Sequence, residues 1–212
     1  MIKQTPFVIT ISRQLGSGGS YLGQKLASRF GILYADRDIL RQAAKSLNVS
    51  SEVAEPSDEK VTPVWLSLLR SFEKGQPELC YVPPANLPPN DDEFHTAESS
   101  VIRQIAKSWS SVIIGRGGYH LLRDNPWHFA VFLHANVDFR SKRIQEIHDL
   151  SSENAMKLIE RNDQDRKRYH HIVFGSDWTD ARQYHLSIDT SSIGFDTAEE
   201  IIADSVLAKL NV

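Results

Sequence analysis

The chain reads as an α/β fold built on a central parallel sheet with helices on both faces. Three observations predict it. Short runs of buried-strand character alternate with amphipathic helical stretches in βαβα order, which demands crossovers and therefore parallel strands. The first run, Phe7 to Ser12, breaks into the Gly/Ser-rich segment Gly16-Ser17-Gly18-Gly19-Ser20 and passes straight into a helix. A second glycine cluster, Gly115-Arg116-Gly117-Gly118, follows another strand-like run. Both turns then fall at the carboxyl ends of strands, where sheets of this kind bind ligands.

Phe7-Val8-Ile9-Thr10-Ile11-Ser12 is apolar and β-branched, which predicts the first strand. Beyond the loop, Leu22, Leu26 and Phe30 fall at i, i+4 and i+8, one face of a helix over 21–30, and Gly31 supplies its stop. Residues 32–35 predict a short second strand ending at Asp36-Arg37-Asp38, with a helix over 39–47. Residues 50–92 differ in kind. Seven of the nine prolines lie there around one predicted helix over 64–72, so this part reads as an inserted lobe or surface segment and not as sheet core. Helical periodicity resumes over 93–108 through Val101, Ile102, Ile105 and Ala106. Residues 111–114 and 129–133 predict the third and fourth strands. The helical stretch over 137–170 is expected to break near 149–152, with Ser151 or Ser152 capping its second half. A last strand over 186–190 and a closing helix over 198–210 complete one domain spanning 1–212.

Composition excludes several classes. With 41% hydrophobic and 24% charged residues, and no apolar run approaching ~20 residues, the chain predicts a soluble globular protein with no membrane span. The single cysteine, Cys80, forbids an intrachain disulfide and agrees with a reducing, cytoplasmic setting, as does an N-terminus without signal-peptide layout. A net charge of −3 argues against a broad nucleic-acid surface. The eight histidines show no zinc-site spacing, and no G-x-S-x-G elbow is present.

A strand that ends in a glycine turn at a helix N-terminus aims several backbone N–H groups and the positive end of the helix dipole at one spot, where an anion can sit. The common triphosphate version is G-x-x-x-x-G-K-[S/T], whose lysine reaches the β- and γ-phosphates. Aligned on Gly18, this chain has Ser20 at the metal-binding hydroxyl position, Gly19 at the lysine position and Arg13 at the first glycine position. Arg13 can return the missing charge, since a guanidinium forks two donors onto phosphate oxygens. Arg116 projects from a strand end into the same edge. Arg140, Arg143 and Arg166 belong to helical stretches with interleaved carboxylates, so each is read either as a solvated face or as a clamp over a transferring phosphoryl group. Asp36 and Asp38 can take a proton from an acceptor hydroxyl, hold Mg²⁺ through water, or cap the following helix.

In their order and spacing these segments resemble the cytidylate kinase-like family, divergent relatives of the P-loop nucleoside monophosphate kinases. The resemblance rests on Ile9-Thr10-Ile11-Ser12-Arg13 with Gly16 to Gly19, on Tyr34 to Asp38, and on Val112 to Gly117. It continues through Phe132 to Ala135 with Arg140 and Arg143, Asp163 to Arg166 with Tyr169, and Trp178 with Tyr184 to Thr190. It implies a three-layer α/β/α P-loop kinase fold with an inserted monophosphate-binding lobe and a short helical lid over about 137–170. It further implies transfer of the γ-phosphoryl group of ATP, with Mg²⁺, to a small-molecule acceptor such as CMP or dCMP. By the same resemblance the loop from Gly16 to Ser20 holds the ATP phosphates and Ser20 the metal. Asp36, Arg37, Arg41 and Arg116 border the acceptor, and Arg140, Arg143 and Arg166 clamp phosphates.

The departure from the family pattern is the lysine position, where Gly19 stands. A nucleotide-binding sensor or interaction module without turnover is the alternative that this departure and the proline-rich segment suggest. Oligomeric state is not readable from the chain. If Arg13 supplies the loop's charge, Arg13→Ala lowers phosphoryl-transfer activity more than Ser17→Ala does; equal activities in steady-state assays would sink that substitution.

Overall fold

The computed structural model describes residues 5–40 and 91–210. Arg41, Cys80, the helix expected over 64–72 and nearly all of the proline-rich stretch lie outside the described residues. The elements in chain order are β1 (Val8–Arg13), α1 (Gly19–Phe30), β2 (Leu33–Ala35), α2 (Asp91–Ser108), β3 (Ser111–Ile114), α3 (Gly118–Leu121) and β4 (His128–His134). They continue as α4 (Val137–His148), α5 (Ser152–Phe174), a 3-10 turn (Ala181–Gln183), β5 (Leu186–Asp189), α6 (Thr190–Ile193) and α7 (Phe195–Leu210).

The strands form one five-stranded sheet in the order β2-β3-β1-β4-β5, and every pair is parallel. β1 lies at the centre, with Ile11 opposite both Ile114 of β3 and Val131 of β4. Its alternation sends side chains into two cores. Ile9 and Ile11 pack with Leu22 and Leu26 of α1 and with Ile202 and Val206 of α7, while Val8 packs with Ile102 and Ile105 of α2 on the other face. Both faces of the sheet are thus covered by helices, as an all-parallel sheet requires, and a three-layer α/β/α architecture results. No helix among the described residues is long and apolar enough to cross a membrane.

Several boundaries differ from expectation for local reasons. α1 begins at Gly19, two residues before the expected start, because Gly18 sits in the left-handed region at φ 82° and lets the chain enter the helix at once. The break in the long helical stretch falls where expected. Asp149 closes α4 in a left-handed conformation, and Ser151 caps α5 by accepting from the Asn154 N–H at 3.3 Å. The one-turn helices α3 and α6 were not legible, since four residues are too few to show periodicity. α6 starts where the last strand was expected to end, because Asp189 accepts from the Ser191 N–H and turns the chain.

Two buried histidines bear on stability. His128, at the start of β4, is 1% exposed and meets Thr10 Oγ1 at 2.7 Å through Nε2; His170, in α5, is 5% exposed. Burial, reinforced by neighbouring positive groups, pushes each imidazole from 6.5 down to about 3. Between those values the unfolded chain binds protons that the folded chain refuses, so stability falls as pH drops through that window. Thermal melts should show this decline, and His128→Gln, which keeps a polar group toward Thr10, should flatten it. An identical pH slope in wild type and variant would rule out the His128 contribution.

Candidate active site

The loop after β1 is held by side chains from α4, α5 and α6 and by backbone groups at the end of β4. Ser17 is fully buried, and its hydroxyl donates to the carbonyls of Gln14 at 2.9 Å and Leu133 at 3.1 Å. Thr190 Oγ1 donates to the Ser17 carbonyl at 3.1 Å, and the Ala135 N–H donates to Gln14 Oε1 at 3.3 Å. The peptide groups of Leu15 are gripped from the helical side. Asp163 Oδ1 accepts from the Leu15 N–H at 3.1 Å, and Arg140 Nη1 reaches the Leu15 carbonyl at 3.4 Å. Arg140 and Asp163 close on each other at 2.6 Å, and Arg140 Nε also donates to the Ala135 carbonyl. The N-cap residue of α1 is Gly18, which has no side chain to cap it, and no acidic residue lies in the first turn. That leaves the positive helix end facing the cleft, the arrangement an anion needs.

The cleft lies beyond the carboxyl ends of β1, β2 and β3. It is lined by the loop together with Arg13, Arg116, Arg143, Arg166 and Asp36. Each arginine is anchored differently. Arg116 is a non-glycine residue at φ 52°; its guanidinium pairs with the buried Glu98 carboxylate and lies 5.1 Å from the Tyr169 ring centre. Arg143 lies 4.6 Å from the Phe195 ring and 5.7 Å from the Tyr21 ring. Arg166 donates from Nη1 to the Arg13 carbonyl. His170 reports the resulting field: after burial, the charges of Arg166 and Arg13 are the largest influences holding its imidazole neutral.

Of the sequence-predicted residues, Gly16, Gly18, Gly19 and Ser20 line the cleft with Arg13, Asp36, Arg37, Arg116, Arg143 and Arg166. Ser17 is turned inward to shape the loop, and the Arg140 guanidinium lies behind Leu15 in its pair with Asp163. Asp36 performs the capping alternative. Its Oδ1 accepts from the N–H groups of Asp38 and Ile39, both at 3.1 Å, where residues 37–40 turn helical. Burial pushes the Asp36 carboxyl above its usual range, against a downward pull from those bonds and from Arg13. Glu98 was missed by sequence reasoning, as was the structural use of Asp163; nothing local marks either residue, because each partner is far along the chain.

Among the described residues no group of three His, Cys, Asp or Glu side chains could hold a metal by itself. The donor set nonetheless fits Mg²⁺, which keeps several waters and takes one or two protein oxygens plus substrate phosphates. The Ser20 hydroxyl and the carboxylates of Asp36 and Asp38 border the same cleft. Removing one member of the Arg140–Asp163 pair strands a charge in a largely buried place. Asp163→Ala is therefore expected to lower stability by roughly 3 kcal/mol, and the double replacement Arg140→Met with Asp163→Leu to recover part of it. Denaturant titration measures both, and a loss below about 1 kcal/mol for the single variant would mean the pair does not hold the loop.

Known proteins show similarity along most of the chain. A cytidylate kinase from Pyrococcus horikoshii is 29% identical over 187 residues, covering 87% of this chain and 80% of that protein. One from Thermococcus kodakarensis is 27% identical over 202 residues, covering 94% and 87%. Among solved structures, an uncharacterised protein from Eubacterium ventriosum superposes with a TM-score of 0.70 at 23% identity, covering 94% of this chain and 98% of that chain. A Thermus thermophilus protein does so at 0.50 with 17% identity, covering 98% and 99%. At these identities the two structures bear on the fold alone. The family model that matches residues 8–192 is that of the cytidylate kinase-like family, and with the match spanning the loop, the sheet and the α4–α5 hairpin, the chain belongs to that family.

Proposed function

We propose that the chain is an ATP-dependent nucleotide kinase whose acceptor is CMP or dCMP. The observation that carries the reading is the convergence of an uncapped helix N-terminus with four arginines from separate elements on one cleft at the carboxyl edge of the sheet. Phosphoryl transfer asks little covalent work of a protein. It asks for an in-line arrangement and for positive charge around the oxygens of the group in flight. The loop N–H groups from Gly16 to Ser20 cradle the donor phosphates. Arg143 and Arg166 stand over the transferring group from α4 and α5. Arg116, Arg37 and Asp36 border the acceptor side, beside β2 and β3. The Ser20 hydroxyl would hold Mg²⁺, which would supply further neutralisation of the phosphate charge. An acceptor phosphate oxygen attacks the γ-phosphorus, the bond to the β–γ bridging oxygen breaks, and ADP leaves.

Arg140 takes another role in this reading: its buried pair with Asp163 positions the Leu15 peptides, and the phosphates meet the loop that it holds. The cytidylate acceptor is supported by the curated relatives, which are cytidylate kinases. The absence of a lysine after Gly18 favours the competing reading of a nucleotide sensor. One experiment separates them: ADP release from ATP and Mg²⁺ across a panel of nucleoside monophosphates and nucleosides, with a thermal shift for each compound. Release dependent on CMP or dCMP is expected. Thermal shifts without release on any acceptor would favour the sensor.

A further inference from the structure

The loop has no lysine after Gly18, and another side chain occupies the space beside that position. A Cβ built on Gly19 would lie 2.6 Å from Cγ of Arg13 and 2.9 Å from its Cβ, so the arginine stem crosses directly over Gly19. Farther along, a Cβ on Gly115 would collide with Nη1 of the same arginine. Two glycines, one opening α1 and one following β3, therefore form a slot through which Arg13 passes. Real Cβ atoms do not approach other atoms this closely, so a side chain at either position would displace the guanidinium. The far end of Arg13 lies over the end of β3, and β3 is the strand between β1 and β2. Arg166 fixes the point of departure by donating to the Arg13 carbonyl.

We propose that Arg13 is the loop's phosphate-binding cation, delivered to the γ-phosphoryl oxygens from the β3 side, and that Gly19 and Gly115 are small because the arginine runs through their space. The identity of the anion rests on the kinase reading above. A lysine at position 19 would reach the phosphates from the helix start as a point charge. The arginine leaves from the strand end and presents two parallel donors. Its charge is displaced by one strand toward the acceptor side, between the places where donor and acceptor phosphates would meet. A cation there opposes the mutual repulsion of the two phosphates as well as the charge that develops in transfer. The charge has thus been moved within the loop and not lost, and positions 13 and 19 are coupled: a lysine added at 19 while Arg13 remains forces two stems and two like charges into one slot.

Calorimetric binding of ATP and of ADP, each with Mg²⁺, to the full chain tests this without requiring turnover. Arg13→Ala is expected to weaken ATP binding about tenfold or more while ADP changes less than about threefold, the loss of one charge-assisted contact to the γ-phosphate. Gly19→Ala keeps the arginine but fills its slot, and should reduce the ATP preference in the same way; Gly19→Lys should do no better. Arg13→Gly combined with Gly19→Lys should bind ATP more tightly than Arg13→Gly alone. Melting curves without nucleotide establish that each variant is folded, and Arg13→Gln replaces Arg13→Ala if the latter is not. An unchanged ATP-to-ADP ratio in a folded Arg13 variant, or wild-type ATP binding by Gly19→Ala, overturns the assignment alone. A wild-type chain that binds neither nucleotide overturns the kinase reading and this assignment with it.

Discussion

The structure depends on one constraint: a loop that offers its N–H groups to a ligand must have its other backbone groups satisfied by the protein. A tight glycine turn makes few hydrogen bonds within itself, and buried carbonyls left without partners are expensive. Here the carbonyls of Gln14, Leu15 and Ser17 are taken by Ser17, Arg140 and Thr190, which come from the loop itself, α4 and α6. The groups outside the loop that hold it follow β4 and β5. Thr190 follows β5, Ala135 follows β4, and Arg140 lies on the first turns of the helix that β4 feeds. The sheet therefore shapes the loop as well as carrying it, because parallel register brings the ends of β1, β4 and β5 to one edge.

The same edge gathers positive charge, and the fold manages it by partial neutralisation. Arg140 is buried and paired outright with Asp163, so it contributes little field to the cleft. Arg116 is paired with Glu98 on one side and lies beside the Tyr169 ring on the other. Arg143 rests against two aromatic rings, which stabilise a cation without cancelling its charge. The gradation is consistent with division of labour. Arg140, paired outright with Asp163, shapes the loop, while Arg143 and Arg116 stand beside aromatic rings at the cleft.

Much of this architecture was legible in the sequence and some of it could not have been. The strands over Val8–Arg13 and Ser111–Ile114 were readable because burial on both faces produces continuous β-branched runs. The glycine turns after them were readable because sharp, left-handed backbone leaves a compositional trace, as at Gly18 and Gly117. Arg140 was readable either as a solvated face or as a phosphate clamp and Asp163 as an interleaved carboxylate, since nothing local distinguishes a charge facing water from one facing another helix 23 residues away. Glu98 sat within the amphipathic pattern of α2, and only the folding of β3 beside that helix brings Arg116 to it. Ser17 looked like a phosphate ligand by position, while its hydroxyl serves the backbone of its own loop.

Arg116 shows how local strain and long-range pairing are linked at this site. A side-chain-bearing residue at φ 52° pays on the order of 1 kcal/mol relative to ordinary backbone, and glycine stands on both sides of it but not at it. The strained position persists because the side chain is determined from two directions, by a carboxylate on α2 and a ring on α5. Those two helices lie on different parts of the chain and also meet through the His95 ring, 5.6 Å from that of Phe174. Arg116 thereby ties the end of β3 to α5, the helix that also supplies Arg166 and Asp163. A displacement of α5 must act on Arg116, on the Arg13 carbonyl and on the Leu15 N–H together, so the cations and the loop are bound to respond as one unit.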